Sequence, residues 1–126
     1  MRTTVIIVVV LVLLTGISSV SSIAIHSAAQ NLGKQLTIVE SSLQKQEWDR
    51  AQASLNSTQA HWDKTKNILT IILDHHETDT IEISMKRLAE YIRARAAADS
   101  LAEVTTLQTL IRHITDKEDL TLTNVF

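Results

Sequence analysis

Apolar residues are arranged in two ways along this chain: first as an unbroken run, then as spaced stripes. Val5 to Leu14 reads VIIVVVLVLL, ten apolar residues in succession, and no formal charge follows Arg2 until Lys34. Continued through Thr15, Gly16, the serines at 18, 19, 21 and 22 and on to Ile25, the segment has 21 residues. That is about 32 Å of helix against a hydrocarbon core of about 30 Å. Val5, Leu14 and Ile25 therefore mark the course of an expected transmembrane helix, whose serines bond back to helix carbonyls. A cleaved signal peptide competes for the same run, with small-residue sites near Ser22 and Ala29. Apolar residues at Ile17, Val20, Ile23 and Ile25, well past a signal core, favour retention. Arg2 and the amino terminus on one flank place the N-terminus in the cytoplasm and residues 26–126 outside.

Beyond Ala28, Leu32, Leu36, Val39 and Leu43 follow a 4, 3, 4 spacing, so the membrane helix is expected to continue outward with one apolar face. The polar run Gln44-Lys45-Gln46-Glu47 then breaks the phase and predicts a turn near Lys45 and Gln46. Trp48 opens a second stripe through Ala51, Leu55, Thr58, Trp62, Thr65, Leu69, Ile72 and His76. Trp48, Leu55, Trp62 and Leu69 are its expected packing or interaction residues. Asp74 to Asp79 marks the next reversal, and Ile81, Met85, Leu88 and Ile92 restart the period. Leu101, Val104, Leu107, Ile111 and Ile114 lie out of that phase, which predicts a break near Asp99 and Ser100. Ser100 and Glu103 also fit a capping box. The last residues, Leu120-Thr-Leu-Thr-Asn-Val-Phe126, predict a short tail with Leu120, Leu122 and Phe126 docked.

The expected fold is all-α: an N-terminal transmembrane anchor over 1–26 that continues into a small antiparallel three- or four-helix bundle over 27–126. Its helices are expected at about 27–44, 47–74, 77–97 and 100–115, with the tail at 116–126. Composition agrees, because there is no Pro and both glycines, Gly16 and Gly33, lie in the first third of the chain. A β-rich architecture consumes turn residues that this chain lacks.

The absence of Cys excludes disulfides, thiolate metal sites, thiol nucleophiles and a lipid-modified N-terminal Cys. The formal net charge of -2 falls to -3 for residues 26–126, and no basic stripe suits phosphates, so no nucleic-acid partner is expected. Chemically capable side chains concentrate at Asp74, His75, His76, Glu77, Asp79 and Glu82. The metal-ligand candidates are His75, His76, Asp79 and Glu82, which share a helix face pairwise. Adjacent histidines point about 100° apart around a helix axis, and the two-histidine zinc motif needs them four apart. The preferred reading is therefore a solvated helix junction, with no metal, no cofactor and no catalytic residue. No phosphate loop or nucleophile elbow is present.

An N-terminal anchor, Glu47-Trp48-Asp49-Arg50-Ala51, Trp62-Asp63-Lys64, His76 followed by Ile81-Glu82, and a closing Leu122-Thr123-Asn124-Val125-Phe126 together resemble the domain of unknown function 4363 family of anaerobic and spore-forming Gram-positive bacteria. The resemblance covers essentially the whole chain. It implies a single-pass cell-envelope protein without an established activity, encoded beside multi-pass membrane proteins. A looser likeness to the four-helix sensing domain of chemoreceptors lacks the second span and the signalling part. The expected function is a non-enzymatic interaction or structural partner in a membrane complex. Its partners would be the lipid bilayer and either a multi-pass membrane protein or a second copy of the chain, gripped through the Trp48–Trp62 stripe or through Leu32, Leu36, Val39 and Leu43 if the bundle leaves them uncovered. The alternative is an extracytoplasmic module sensing a ligand or metal.

Overall fold

A computed structural model describes residues 1–70 and 72–125, with side chains described at all of these except 21, 118 and 121–125. It consists of four helices: α1 (Arg2–Gln44), α2 (Trp48–Leu69), α3 (His75–Arg93) and α4 (Ala97–Val125), with no strand among the described residues. Each helix packs on its neighbours in sequence and α4 returns to α1, while the diagonal pairs stay apart. The result is an up-down-up-down four-helix bundle.

α1 has 43 residues, about 65 Å at 1.5 Å per residue, and only its outer part belongs to the bundle. From Val5 to Ile23 the large apolar side chains are exposed, and this stretch is long and apolar enough to cross a membrane. The change comes at Ile25. It is 3% exposed and joins Ala28, Ala29, Leu32, Leu36, Val39 and Leu43 in the bundle core. Ile25 therefore belongs to the protein core, where the sequence pattern made it the end of the lipid-facing run. Apolar composition alone does not distinguish lipid from protein as the covering medium. The stripe at Leu32, Leu36, Val39 and Leu43 is likewise fully covered, because the bundle is complete, and it offers no docking patch.

The turns at the bundle's far end are built without glycine. α1 ends in a Schellman motif: the Gln46 N–H donates to the Leu43 carbonyl at 3.0 Å and the Glu47 N–H to the Ser42 carbonyl at 2.9 Å. α3 ends in the same way, with Arg95 to Ile92 at 3.0 Å and Ala96 to Tyr91 at 3.0 Å. The pivots, Gln46 and Arg95, hold φ of 56° and 55°, the left-handed region that usually falls to Gly. The expected break at Asp99 and Ser100 thus lies about four residues earlier, and α3 stops at Arg93 rather than 97. The Ser100–Glu103 capping box does not form. Ser100 is already inside α4, its N–H bonded to the Ala96 carbonyl at 2.9 Å, and its Oγ is buried without a hydrogen-bond partner.

A capping box does form one reversal earlier. α2 stops at Leu69 rather than 74, after which the chain turns so that Leu69 and Leu73 both enter the core. Asp74 then takes an extended backbone and caps α3. Its Oδ1 accepts from the Glu77 N–H at 2.8 Å and its own N–H donates to Glu77 Oε2 at 3.1 Å. His76, expected at the end of the α2 stripe, is instead exposed in the first turn of α3. At the other end of the chain, α4 runs ten residues past the expected stop at 115 and takes up residues 116–125 of the separate tail expected at 116–126. Asp116, Lys117, Glu118 and Asp119 contain no helix breaker, so propagation continues. Leu120, expected to dock, is 64% exposed. The side chain of Leu122, and Phe126 as a whole, lie outside the described residues.

Candidate functional site

The polar groups that link helices lie in the seams of the bundle. Trp62, on the inner face of α2, is 2% exposed, with its ring in the core. Its indole N–H donates to Glu82 Oε1 on α3 at 3.2 Å, and Lys66, one helical turn further along α2, donates to the same oxygen at 3.1 Å. Two donors on one carboxylate oxygen favour its ionised form. The Trp62 hydrogen bond first, then that of Lys66, hold the Glu82 carboxyl below its ordinary range. Reciprocally, the hydrogen bond to Glu82, followed by its charge, raises Lys66 above the usual amine range. A general acid or base works best with a pKa near the operating pH, and both shifts move these groups away from neutrality. The constellation therefore ties α2 to α3. A shallow recess of about 170 Å³ opens beside it, lined by Gln59, Trp62, Asp63, Lys66, Glu82 and Lys86 among others.

A second polar contact joins α3 to α4. Glu103 is 7% exposed and accepts from the Ser84 hydroxyl and from Arg87 Nη1, the latter at 3.3 Å. A third joins α4 to α1, where Gln108 Nε2 donates to Glu40 Oε2 at 2.8 Å. The pairing of Glu103 escaped the sequence reading, which placed that residue in a cap. The signal lay in its position beside Val104 and Leu107, on a stripe where an acid requires a partner.

Of the metal-ligand candidates, Glu82 is committed to Trp62 and Lys66, whereas His75, His76 and Asp79 are exposed at the start of α3. The structure does not bring the four together. Among the described residues, no three His, Asp or Glu side chains converge on a point where an ion could sit. Glu77, inside the same acidic cluster, is engaged in the α3 cap and in an ion pair with Lys117 of α4.

The interaction candidates divide by burial. Leu55 and Leu69 have no exposed surface and Trp62 almost none, so this stripe is occupied by the bundle's own core and is not free for a partner. Trp48 is half-buried at the start of α2, packed against the core edge. Val5 and Leu14 are 62% and 60% exposed, in contrast to Ile25.

No curated protein and no solved structure matches the chain. A family does. The match runs over residues 19–125, taking in the last turns of the apolar segment and the whole bundle, and the chain belongs to the family described as Domain of unknown function (DUF4363).

Proposed function

We propose that this protein is a membrane-anchored, extracytoplasmic four-helix bundle that acts as a non-enzymatic partner in a membrane complex. One observation supports the reading: among the described residues, the exposed large apolar side chains concentrate on α1 from Val5 to Ile23, while the bundle satisfies its own core. Isolated exposed residues such as Ile38 and Ile83 are ordinary on a soluble surface, whereas a contiguous belt marks an interaction with lipid or with another membrane helix. The anchor therefore takes over the docking role that the sequence reading gave to Trp48 and Trp62. α1 has no break between the belt and the bundle, so a partner gripping the anchor moves the bundle with it.

The test is site-specific photocrosslinking in native membranes. A crosslinker at Ile17 is expected to capture a membrane protein, and one at Ile83 is not. Capture from Ile83 alone, or recovery of the chain in the soluble fraction after cell breakage, would refute the proposal.

The sensing alternative draws support from the recess beside Trp62, where Lys66 and Lys86 flank Glu82. A ligand selective for the folded state raises the melting temperature. A thermal-shift screen of the detergent-solubilised chain against small anions and metabolites distinguishes the two readings.

A further inference from the structure

The two ends of the bundle are built differently. At the far end the turns are short and polar, carrying Lys45, Gln46, Glu47 and Arg95. At the end nearer the anchor, the last two residues of α2 and the connection that follows, residues 68–73, read Ile-Leu-Thr-Ile-Ile-Leu, five apolar residues in six. Leu69 and Leu73 are spent on the core, but Ile68 remains 38% exposed. Connecting segments in water are ordinarily polar. At the end of α4, residues 120–123 alternate apolar and polar, and Leu120 is 64% exposed.

The register of the helices places these residues at one height. Gln108 of α4 pairs with Glu40 of α1, and a recess shared by Gly33 and Thr37 of α1 with Ile111 and Thr115 of α4 follows the same antiparallel alignment. Carried along both helices, that alignment sets Leu120 level with about Ala28, and the α4 terminus at Val125 level with about Ile23. Counted from the Gln46 turn, Ile68 comes level with about Ala24. α4 is ten residues longer than α3, and the excess lies entirely at this end.

The exposed run Val5–Ile23 spans 19 residues, about 28 Å, which fills a hydrocarbon core of about 30 Å and leaves Ile23 at its outer boundary. Ile68 and Leu120 then lie roughly 2 to 8 Å above that boundary, inside a headgroup layer about 5 to 8 Å deep. We infer that the base of the bundle is seated in the bilayer interface, with Ile68 and Leu120 as its lipid-contacting residues, rather than held clear of the membrane on a stalk. The occupant of this surface is lipid. The surface lies within a few ångströms, along the bundle axis, of the end of the apolar belt of α1, and the exposed charges at the base, Asp74, Asp116, Lys117 and Asp119, are mainly acidic, so the contact does not depend on anionic headgroups. The inference rests on the proposed membrane anchoring.

The chain has no Cys, so single labels can be placed cleanly. Full-length Ile68→Cys, Leu120→Cys, Ile83→Cys and Leu11→Cys, each carrying an environment-sensitive fluorophore, would be reconstituted in phosphatidylcholine vesicles. Each would be quenched in turn by a nitroxide lipid and by aqueous iodide. Labels at 68 and 120 are expected to be quenched several-fold more by the nitroxide lipid than the label at 83, and to be shielded from iodide. If they behave like position 83 while position 11 is quenched by lipid, the base stands clear: the seating is wrong and the anchor stands. If position 11 is also open to iodide and untouched by the nitroxide, the anchoring fails and the seating with it. Shielding of 68 and 120 in native membranes but not in vesicles would assign the surface to a protein and overturn the lipid contact.

Discussion

The two parts of α1 belong to one uninterrupted helix, yet they are held by different means. From Val5 to Ile23 the large apolar side chains are exposed, and β-branched Val and Ile predominate, residues with no particular advantage as helix formers in water. In lipid such a segment is helical because every backbone polar group must be satisfied internally. From Ile25 to Leu43 the helix is fixed by one buried stripe, packed against α2 and α4. Changes in the first part should therefore alter where the protein resides, and changes in the second whether it is folded.

The strongest way to break this division lies in the core that faces the second part. Trp62→Ala removes a fully buried ring and one of the two donors to Glu82. It is expected to cost about 3–5 kcal/mol in urea denaturation of the detergent-solubilised chain, with membrane retention unchanged. Trp62→Phe should recover much of that loss. Leu11→Arg in the first part should do the converse. An arginine near mid-span disfavours insertion by about 2.5–3.5 kcal/mol, read as loss of the chain from the membrane fraction while the bundle's denaturation midpoint holds. If either variant shifts both measurements together, the two parts are coupled and the division fails.

Smaller effects resolve the bundle turn by turn. Asp74→Ala removes the α3 cap and should cost about 1 kcal/mol, with faster amide exchange confined to the first turn of α3. Gln46→Gly relieves a left-handed backbone that bears a side chain. It should stabilise by up to about 1 kcal/mol, and Arg95→Gly should act in the same direction.

The smallest effect is pH dependence at the α2–α3 seam. Because the folded carboxyl of Glu82 is depressed, its contribution is present above the ordinary carboxyl range and is lost as pH falls through the folded value. Lys66, raised in the fold, keeps its contribution below the ordinary amine range and loses it as pH rises beyond. A Glu82→Gln variant should have a flatter melting-temperature profile in acid than the parent. An unchanged acid slope would assign that slope to other carboxylates.

Much of this architecture is legible in residue spacing. The stripe at Leu32, Leu36, Val39 and Leu43, the Trp48 stripe as far as Leu69, and the reversal near Gln46 all appear where helical periodicity puts them. The errors arise where two local signals compete. Asp74 carries both a continuing stripe and a cap, and the cap prevails because it satisfies amide groups that a helix start would otherwise leave unpaired. Ser100 and Glu103 match a cap pattern equally well. In the bundle Ser100 is buried, and Glu103 meets Ser84 and Arg87 of α3. No sequence signal distinguishes those two acid-bearing patterns without knowing which helix lies opposite. The Trp62–Glu82–Lys66 contact was hidden for the same reason, since its members lie on different helices.

Sequence by itself determined the helical class, the apolar segment and the inward face of each helix, because these depend on the chemistry of residues within a few positions of one another. Tertiary structure alone decided where exposed apolar surface gives way to core, that the tryptophan stripe is consumed internally, and which carboxylates are paired. Each of these depends on what stands across a seam, and burial is a property of the assembled helices rather than of any one of them. An isoleucine at position 23 and another at position 25 are chemically identical; only the presence of a neighbouring helix makes one surface and the other core.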